Sequence, residues 1–438
     1  MGAVTLAFFG GQWLDLVVAM KSGPVGELPV PDIQADYMIG VLWAALLGVG
    51  VWLWGARVKL RGPLMAVWGA KVVVVLGLMP FYDFTYGVDP DGYFVNASSP
   101  GFTWQGFQLG QGTVNTQMLT WLHIKMLSSS FEASRLSFAL LGLVAVFLVY
   151  RAGTICIGRE EPRLFFALAL MPSILFWSSI LGKDPIAMFG IAAYVYGVVA
   201  WHKLEHNRYL IWAAMGVTVA VYVRIWFGPI LLIPLAILGL MKAESLTKRA
   251  VFVSLGLIGL AASPIVMQQA IGVDMTQQED LLESTQRLSR IFPSGGSSLD
   301  VPDLATPGEI ARFAPLGMFT ALFRPLPGEV QNVFGFLAGI DGAVLLLLAV
   351  RALWRVRPKD LKEPLVPWAF SVILLWAGIY AVASFQNLGT MSRYRLQIMP
   401  LFLGTLFYLG RKRVSVQTAR RLVLMRGTGA AAARQPLL

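Results

Sequence analysis

Apolar runs of about 20 residues recur along this chain, and a run of that length is what a helix needs to cross a hydrocarbon core. Lipid offers no partner for free backbone N–H and C=O groups, so each run is constrained to helix. The runs lie near 38–56, 64–81, 134–151, 163–181, 185–202, 208–223, 226–241, 250–268, 332–350, 364–385 and 395–410. Residues 1–20 make a weaker twelfth, since they hold Asp15 and lack the basic start and small-residue cleavage site of a signal peptide. The expected fold class is therefore all-α, a polytopic transmembrane bundle of about 11–12 spans with interfacial helices in its outer loops.

Composition excludes the main alternatives. With 56% hydrophobic residues, 13% charged residues and a mean hydropathy of +0.66, the chain is too apolar for an ordinary soluble domain. Its net charge of +11 suggests nucleic acid at first sight, but the bases fall in short clusters between apolar runs. Those clusters describe topology, and the expected surroundings are a lipid bilayer with no nucleic acid partner. The single Cys156 rules out a disulfide framework within one chain and reads as a small buried or membrane-edge residue. Walker, Rossmann, His-Glu-x-x-His and Ser/His/Asp patterns are missing, so no nucleotide substrate is indicated.

Lysine and arginine in short loops set sidedness. Arg57/Lys59/Arg61, Arg151/Arg159/Arg163, Lys203/Arg208, Lys242/Lys248/Arg249, Arg351 to Lys362 and Arg411 to Arg413 alternate with the runs and fall on one side, the cytoplasmic one. Two long segments, 82–133 and 269–331, fall on the other. The chain then divides into an N-terminal extension 1–63, a module 64–268 with the acidic loop 82–133, the large loop 269–331, the spans 332–410 and a basic tail 411–438. The tail is expected to fray or to lie on anionic headgroups. The large loop reads as a lid or acceptor-binding segment, with apolar residues from Phe313 to Phe323 forming an interfacial helix. Residues 103–130, too polar to span, are expected to lie as one or two short helices over a cavity.

Charges this close to lipid are costly, which draws attention to Asp89-Pro90-Asp91-Gly92-Tyr93. An ionised carboxylate there can act as general base toward a hydroxyl, or hold a divalent cation such as Mg or Mn between Asp89 and Asp91. Asp-Pro and Asp-Gly are also ordinary turn formers. Lys183-Asp184, Arg224 and Arg393-Tyr394-Arg395 face the same side, and their cations have the chemistry to clamp a phosphate. Each also fits a snorkelling anchor. Tyr93, His123 and Lys125 belong near the same roof; Lys71 reads as a snorkelling anchor and Asp341 as an interior hydrogen-bonding group.

In order and content these segments resemble the GT-C superfamily of polytopic glycosyltransferases, which includes protein mannosyltransferases and aminoarabinose transferases. Val88-Asp89-Pro90-Asp91-Gly92-Tyr93 looks like the family's Asp-Glu-x-x-Tyr region, with Gly92 where an acid often sits. Arg135 to Gly142 resembles the start of the following span, and Leu170-Met171-Pro172 through Lys183-Asp184-Pro185 a proline-containing span with its Lys-Asp turn. Met391-Ser392-Arg393-Tyr394-Arg395-Leu396 resembles the late Arg-Tyr motif. The resemblance covers residues 64–410 as scattered short motifs. It implies a GT-C-like bundle that transfers sugar from a polyprenyl-phosphate donor to a glycan, lipid or protein acceptor on the non-cytoplasmic face of a bacterial inner membrane. Asp91 or Asp89 would be the base; Lys183, Asp184, Arg224, Arg393, Tyr394, Arg395, Tyr93 and His123 would bind the donor. A lipid-linked polysaccharide polymerase or ligase, a flippase or transporter, and a non-catalytic assembly subunit are the alternatives. Transport is disfavoured by the lack of a clear repeat.

Overall fold

The computed structural model of the protein describes residues 2–21, 30, 32–86, 89–271, 307–330, 332–383 and 387–411. Most of the large loop 269–331 and the tail beyond 411 lie outside the described residues, and so do the roles expected for them.

The described chain is helical, with no strand among the described residues. Six helices are long and apolar enough to cross a membrane: Ile33–Arg57, Arg61–Thr85, Phe131–Ile157, Lys183–Leu204, Leu246–Pro264 and Val333–Arg355. Four shorter apolar helices accompany them: Phe227–Lys242, Ala311–Phe323, Leu365–Ala381 and Met399–Leu409. The protein is thus a multi-pass, all-helical integral membrane protein. Its outward faces carry large apolar side chains, with Leu42 68%, Leu257 59% and Leu347 69% exposed. In water this surface would be a liability, whereas against acyl chains it costs nothing.

Side-chain caps set where several helices begin. Asp32 Oδ1 accepts from the Ala35 N–H at 2.9 Å, Ser130 Oγ from Ala133 at 3.1 Å and Asn332 Oδ1 from Gly335 at 2.7 Å. Asp36 adds a second cap from a distance, taking the N–H groups of Phe131 and Glu132 at 2.8 and 3.4 Å. At the bundle centre Lys183–Leu204 packs on Leu210–Val223 at backbone contact. A Cβ on Gly190 would stand 2.8 Å from the Ala220 nitrogen, and one on Gly197 would collide with Ala213. Small residues allow that approach, as in membrane helix pairs generally.

Three expectations need correction. The run 163–181 is two short helices, Pro162–Ala169 and Pro172–Trp177, followed by non-helical residues to Gly182. Pro172 has no N–H to continue the first helix, and the buried carboxylate of Asp341 accepts from the Ser173 N–H at 2.6 Å to start the second. Asp341 is thereby the interior hydrogen-bonding group anticipated. Next, Lys71 does not snorkel. It is fully buried, and its ammonium donates to Ser178 Oγ at 2.6 Å, Ser179 Oγ at 3.0 Å and the Ser178 carbonyl at 3.1 Å. Finally, Asp89-Pro90-Asp91 opens the helix Asp89–Ser98 instead of making a turn. A proline in the first turn loses no hydrogen bond, and carboxylates there complement the helix dipole.

Loops gather by charge at the two ends. At one, Arg151 pairs with Glu160, Lys203 with Glu363 at 2.9 Å and Arg411 with Asp360 at 3.2 Å. The acidic loop and its basic counterparts meet at the other, in agreement with the alternation read from the sequence.

Candidate functional site

Four helix ends converge at the acidic end. Asp83 closes Arg61–Thr85, Asp89 and Asp91 open Asp89–Ser98, Arg135 lies in the second turn of Phe131–Ile157, and Arg393 comes from the short helix Leu388–Arg395. Between them is a cavity of about 70 Å³ lined by Asp83, Asp89, Arg135 and Arg393, with Tyr82 and Trp177 among its aromatic walls. Two guanidiniums and two carboxylates therefore face one small space.

Arg393 is held on two sides. Its Nε donates to Asp184 Oδ2 at 2.8 Å and its Nη1 reaches Asp89 Oδ2 at 2.9 Å, over the face of Trp177. The partners differ in exposure: Asp184 is 1% exposed and Asp89 49%. Asp184 is a fixed orienting acceptor, while Asp89 is a partner that an incoming anion can displace. The neighbouring carboxylates raise Arg393 above its ordinary value, so it stays charged despite burial.

Arg135 is fully buried at the hub of a second network. Its Nη1 stands 2.7 Å from Asp83 and 3.7 Å from Glu132, and its Nη2 4.0 Å from Asp91. Glu132 also takes the ammonium of Lys21 from the N-terminal helix Gly2–Lys21. Arg135 lies over the Phe131 ring at 4.2 Å, and none of its nitrogens makes a well-directed hydrogen bond. The contacts are ionic, with donor capacity left over. Asp91 Oδ1 is buried without a hydrogen-bond partner, and desolvation lifts its pKa to about 6 against the opposing pull of Arg135.

Lys183 and Arg224 border this centre without lining the cavity. Lys183 Nζ donates to Thr113 Oγ1 at 3.2 Å and stands 5.8 Å from the Tyr93 ring, whose hydroxyl burial raises above its usual range. Arg224 caps Leu210–Val223 and stacks on Tyr394 at 4.2 Å and Trp226 at 5.0 Å.

Two expected site residues lie elsewhere. Arg395 is fully buried and donates to the Leu322 and Arg324 carbonyls, both at 3.1 Å. Residues two apart on a helix point to different sides, so Arg393 and Arg395 cannot share one ligand site. His123 sits in a knot of hydroxyls and backbone, 2.8 Å from Ser137 Oγ and 3.1 Å from both Ser134 Oγ and the Ser128 carbonyl, edge-on to Trp43. Burial lowers its pKa, and its role is to join the Gly112–Met126 helix to its neighbour. Asp89 and Asp91 turn to different arginines, and among the described residues no group of three His, Cys, Asp or Glu side chains is placed to hold a metal ion.

Asp83 and Arg135 were not singled out for the site by sequence reasoning. Their signal was present: opposite charges just outside one apolar run and just inside the next, at the same end. Compared with protein-family models, curated proteins and solved structures, the chain matches none of them.

Proposed function

We propose that the protein is a membrane glycosyltransferase that moves a sugar from a polyprenyl-phosphate donor to an acceptor hydroxyl, with the Asp89/Arg393 end facing away from the cytoplasm. The observation that carries this reading is the cavity where Arg135 and Arg393 face Asp83 and Asp89. Transfer from a lipid phosphate needs a proton acceptor and fixed cations at the leaving group, beside an apolar region for the tail. Carboxylates and guanidiniums share this cavity, and the exposed rings of Phe81 and Phe84 flank Asp83 on the same helix end.

The acceptor oxygen attacks the anomeric carbon and gives its proton to a carboxylate. The bond from that carbon to the phosphate oxygen breaks, and its electron pair leaves on the phosphate. Direct displacement inverts the anomeric centre. Arg393, its plane fixed by Asp184, meets the charge that develops; Lys183 and Arg224 add positive field nearby. Donor phosphate competes with the exposed Asp89 for Arg393 and leaves the buried Asp184 in place. Two carboxylates qualify as base on different grounds: Asp91 by a pKa of about 6, and Asp89 by lining the cavity.

The test is transfer of labelled sugar from polyprenyl-phosphate donors in membranes carrying Asp89→Asn or Asp91→Asn. Loss in either variant supports the reading and assigns the base. Full transfer in both overturns it.

A further inference from the structure

A larger cavity, of about 390 Å³, opens at the opposite, basic end of the bundle. That volume lies within the range of about 300–1,000 Å³ typical of small-ligand sites. Its walls come from Phe131–Ile157, Pro162–Ala169, Lys183–Leu204, Leu365–Ala383 and Met399–Leu409, and they are aliphatic and aromatic, with Val149, Leu168, Val195, Trp368 and Leu401 among them. Charge is confined to Arg159, Lys203, Arg411 and one carboxylate, Glu363. Thr405, Cys156, Tyr408 and Trp368 are the other lining side chains with a polar atom, and the Trp368 indole N–H is already taken by the Tyr194 hydroxyl at 2.9 Å, which leaves too few to orient a polar solute. One wall is a side chain short: a Cβ on Gly404 would meet nothing within 4 Å.

We infer that this cavity is a binding site for an anionic membrane phospholipid, with an acyl chain along the apolar walls and the phosphate at Arg159 and Arg411. Three features fit that occupant. The site lies where membrane helices end, at headgroup depth. Its body is apolar and its head is cationic, the complement of such a lipid. The end that holds it is also the one that the lysine and arginine bias places against the cytoplasmic leaflet, the leaflet that carries the anionic lipids.

The cations are partly shared. Lys203 pairs with Glu363 at 2.9 Å, Arg411 with Asp360 at 3.2 Å and Arg159 with Glu161 at 3.4 Å. Behind Arg411, Arg351 donates to the Gly410 carbonyl at 3.1 Å, an uncharged acceptor, so positive charge remains in excess. Arg411 also stacks on Tyr408 at 3.7 Å, which keeps its guanidinium over the cavity wall. The site is separate from the Asp89/Arg393 cavity and does not depend on what reaction occurs there.

The test is titration of the full-length protein in neutral detergent with phosphatidylglycerol or phosphatidylcholine, with bound lipid read by native mass spectrometry. One phosphatidylglycerol retained in clear preference to phosphatidylcholine is the expected result. Arg159→Gln and Arg411→Gln should each cut that preference about fivefold, as expected of a headgroup-facing basic residue. Gly404→Leu fills the space and should abolish retention. Equal retention of the two lipids overturns the inference, and so does a Gly404→Leu protein that retains phosphatidylglycerol unchanged. Should a variant fail to fold, alkylation of Cys156, the single cysteine of the chain and a lining residue, gives a second reading on the unaltered cavity. Phosphatidylglycerol should slow it severalfold relative to phosphatidylcholine; equal rates overturn the inference.

Discussion

Asp184 accepts a hydrogen bond from Arg393 Nε at 2.8 Å and fixes the plane of a guanidinium whose Nη1 reaches the cavity-lining Asp89. The two residues come from segments far apart in sequence, the start of Lys183–Leu204 and the short helix Leu388–Arg395. Arg393→Lys keeps the charge but loses the fork that serves both sides. It is expected to cut sugar transfer by about 10²-fold, the scale of losing one oriented donor. Asp184→Asn should retain more transfer than Asp184→Ala, because the amide oxygen can still accept from Nε. Steady-state assays in membranes check the order.

Asp91 connects stability to pH with a definite sign. Burial raises its pKa to about 6 from 3.8, so the folded protein favours the protonated carboxyl. Its contribution to stability is complete below pH 3.8 and is lost as pH rises through 6. Asp91→Asn removes that loss and should raise the unfolding free energy in detergent at pH 7.5 by on the order of 1–2 kcal/mol after allowance for partial exposure. If Asp91 is the base, sugar transfer in the unaltered protein should fall as pH drops through about 6, and that limb should vanish with the variant.

Arg135 holds three carboxylates together, and Lys21 shares only one of them. Arg135→Met should leave the partly buried Asp83 and Asp91 without their guanidinium partner and cost about 3 kcal/mol, the lower end of the scale for breaking a buried pair from one side. Thermal unfolding and folded yield measure this. Arg135→Lys should recover part of both, because charge survives while the fork does not.

Helix class and the approximate positions of the six long apolar helices were legible because lipid leaves helix as the solution for each apolar run. Four further apolar helices among the described residues are shorter, against the expected total of about 11–12 spans. The acidic loop, Lys183-Asp184 and Arg393 were legible because charges beside apolar runs stand out. Partner choice was not. Nothing local in Lys183-Asp184 says that Asp184 turns inward to Arg393 while Lys183 turns to Thr113. Arg395 looked equivalent to Arg393 until helix geometry sent it to the Leu322 carbonyl. The break at Pro172 escaped notice because apolar composition continues across it, and hydropathy does not register a missing N–H.

Gly197 tests the central helix pair, since any Cβ there collides with the backbone at Ala213 on the facing helix. Gly197→Val must push Lys183–Leu204 and Leu210–Val223 apart, and it should cost about 1–3 kcal/mol as an overpacking change. A Val at Gly404, where a Cβ has open space, should cost little and serves as the control.

Lys71 is an ammonium at the centre of the bundle that has, among the described residues, hydroxyl and carbonyl partners but no carboxylate. Ser178 and Ser179 lead into Ile180, and Trp177 precedes them; both Trp177 and Ile180 line the Asp89/Arg393 cavity. Lys71 is therefore a positioning residue for the cavity wall. Lys71→Met removes a buried charge of similar length, and Ser179 keeps its bond to the Leu175 carbonyl at 2.7 Å. Its unfolding midpoint should not fall, whereas sugar transfer should fall several-fold through loss of wall geometry, seen as a higher KM for donor. Lys71→Glu places an acid among oxygen acceptors and should lower the midpoint sharply. A Lys71→Met protein with unchanged KM and kcat would show that the ammonium positions nothing.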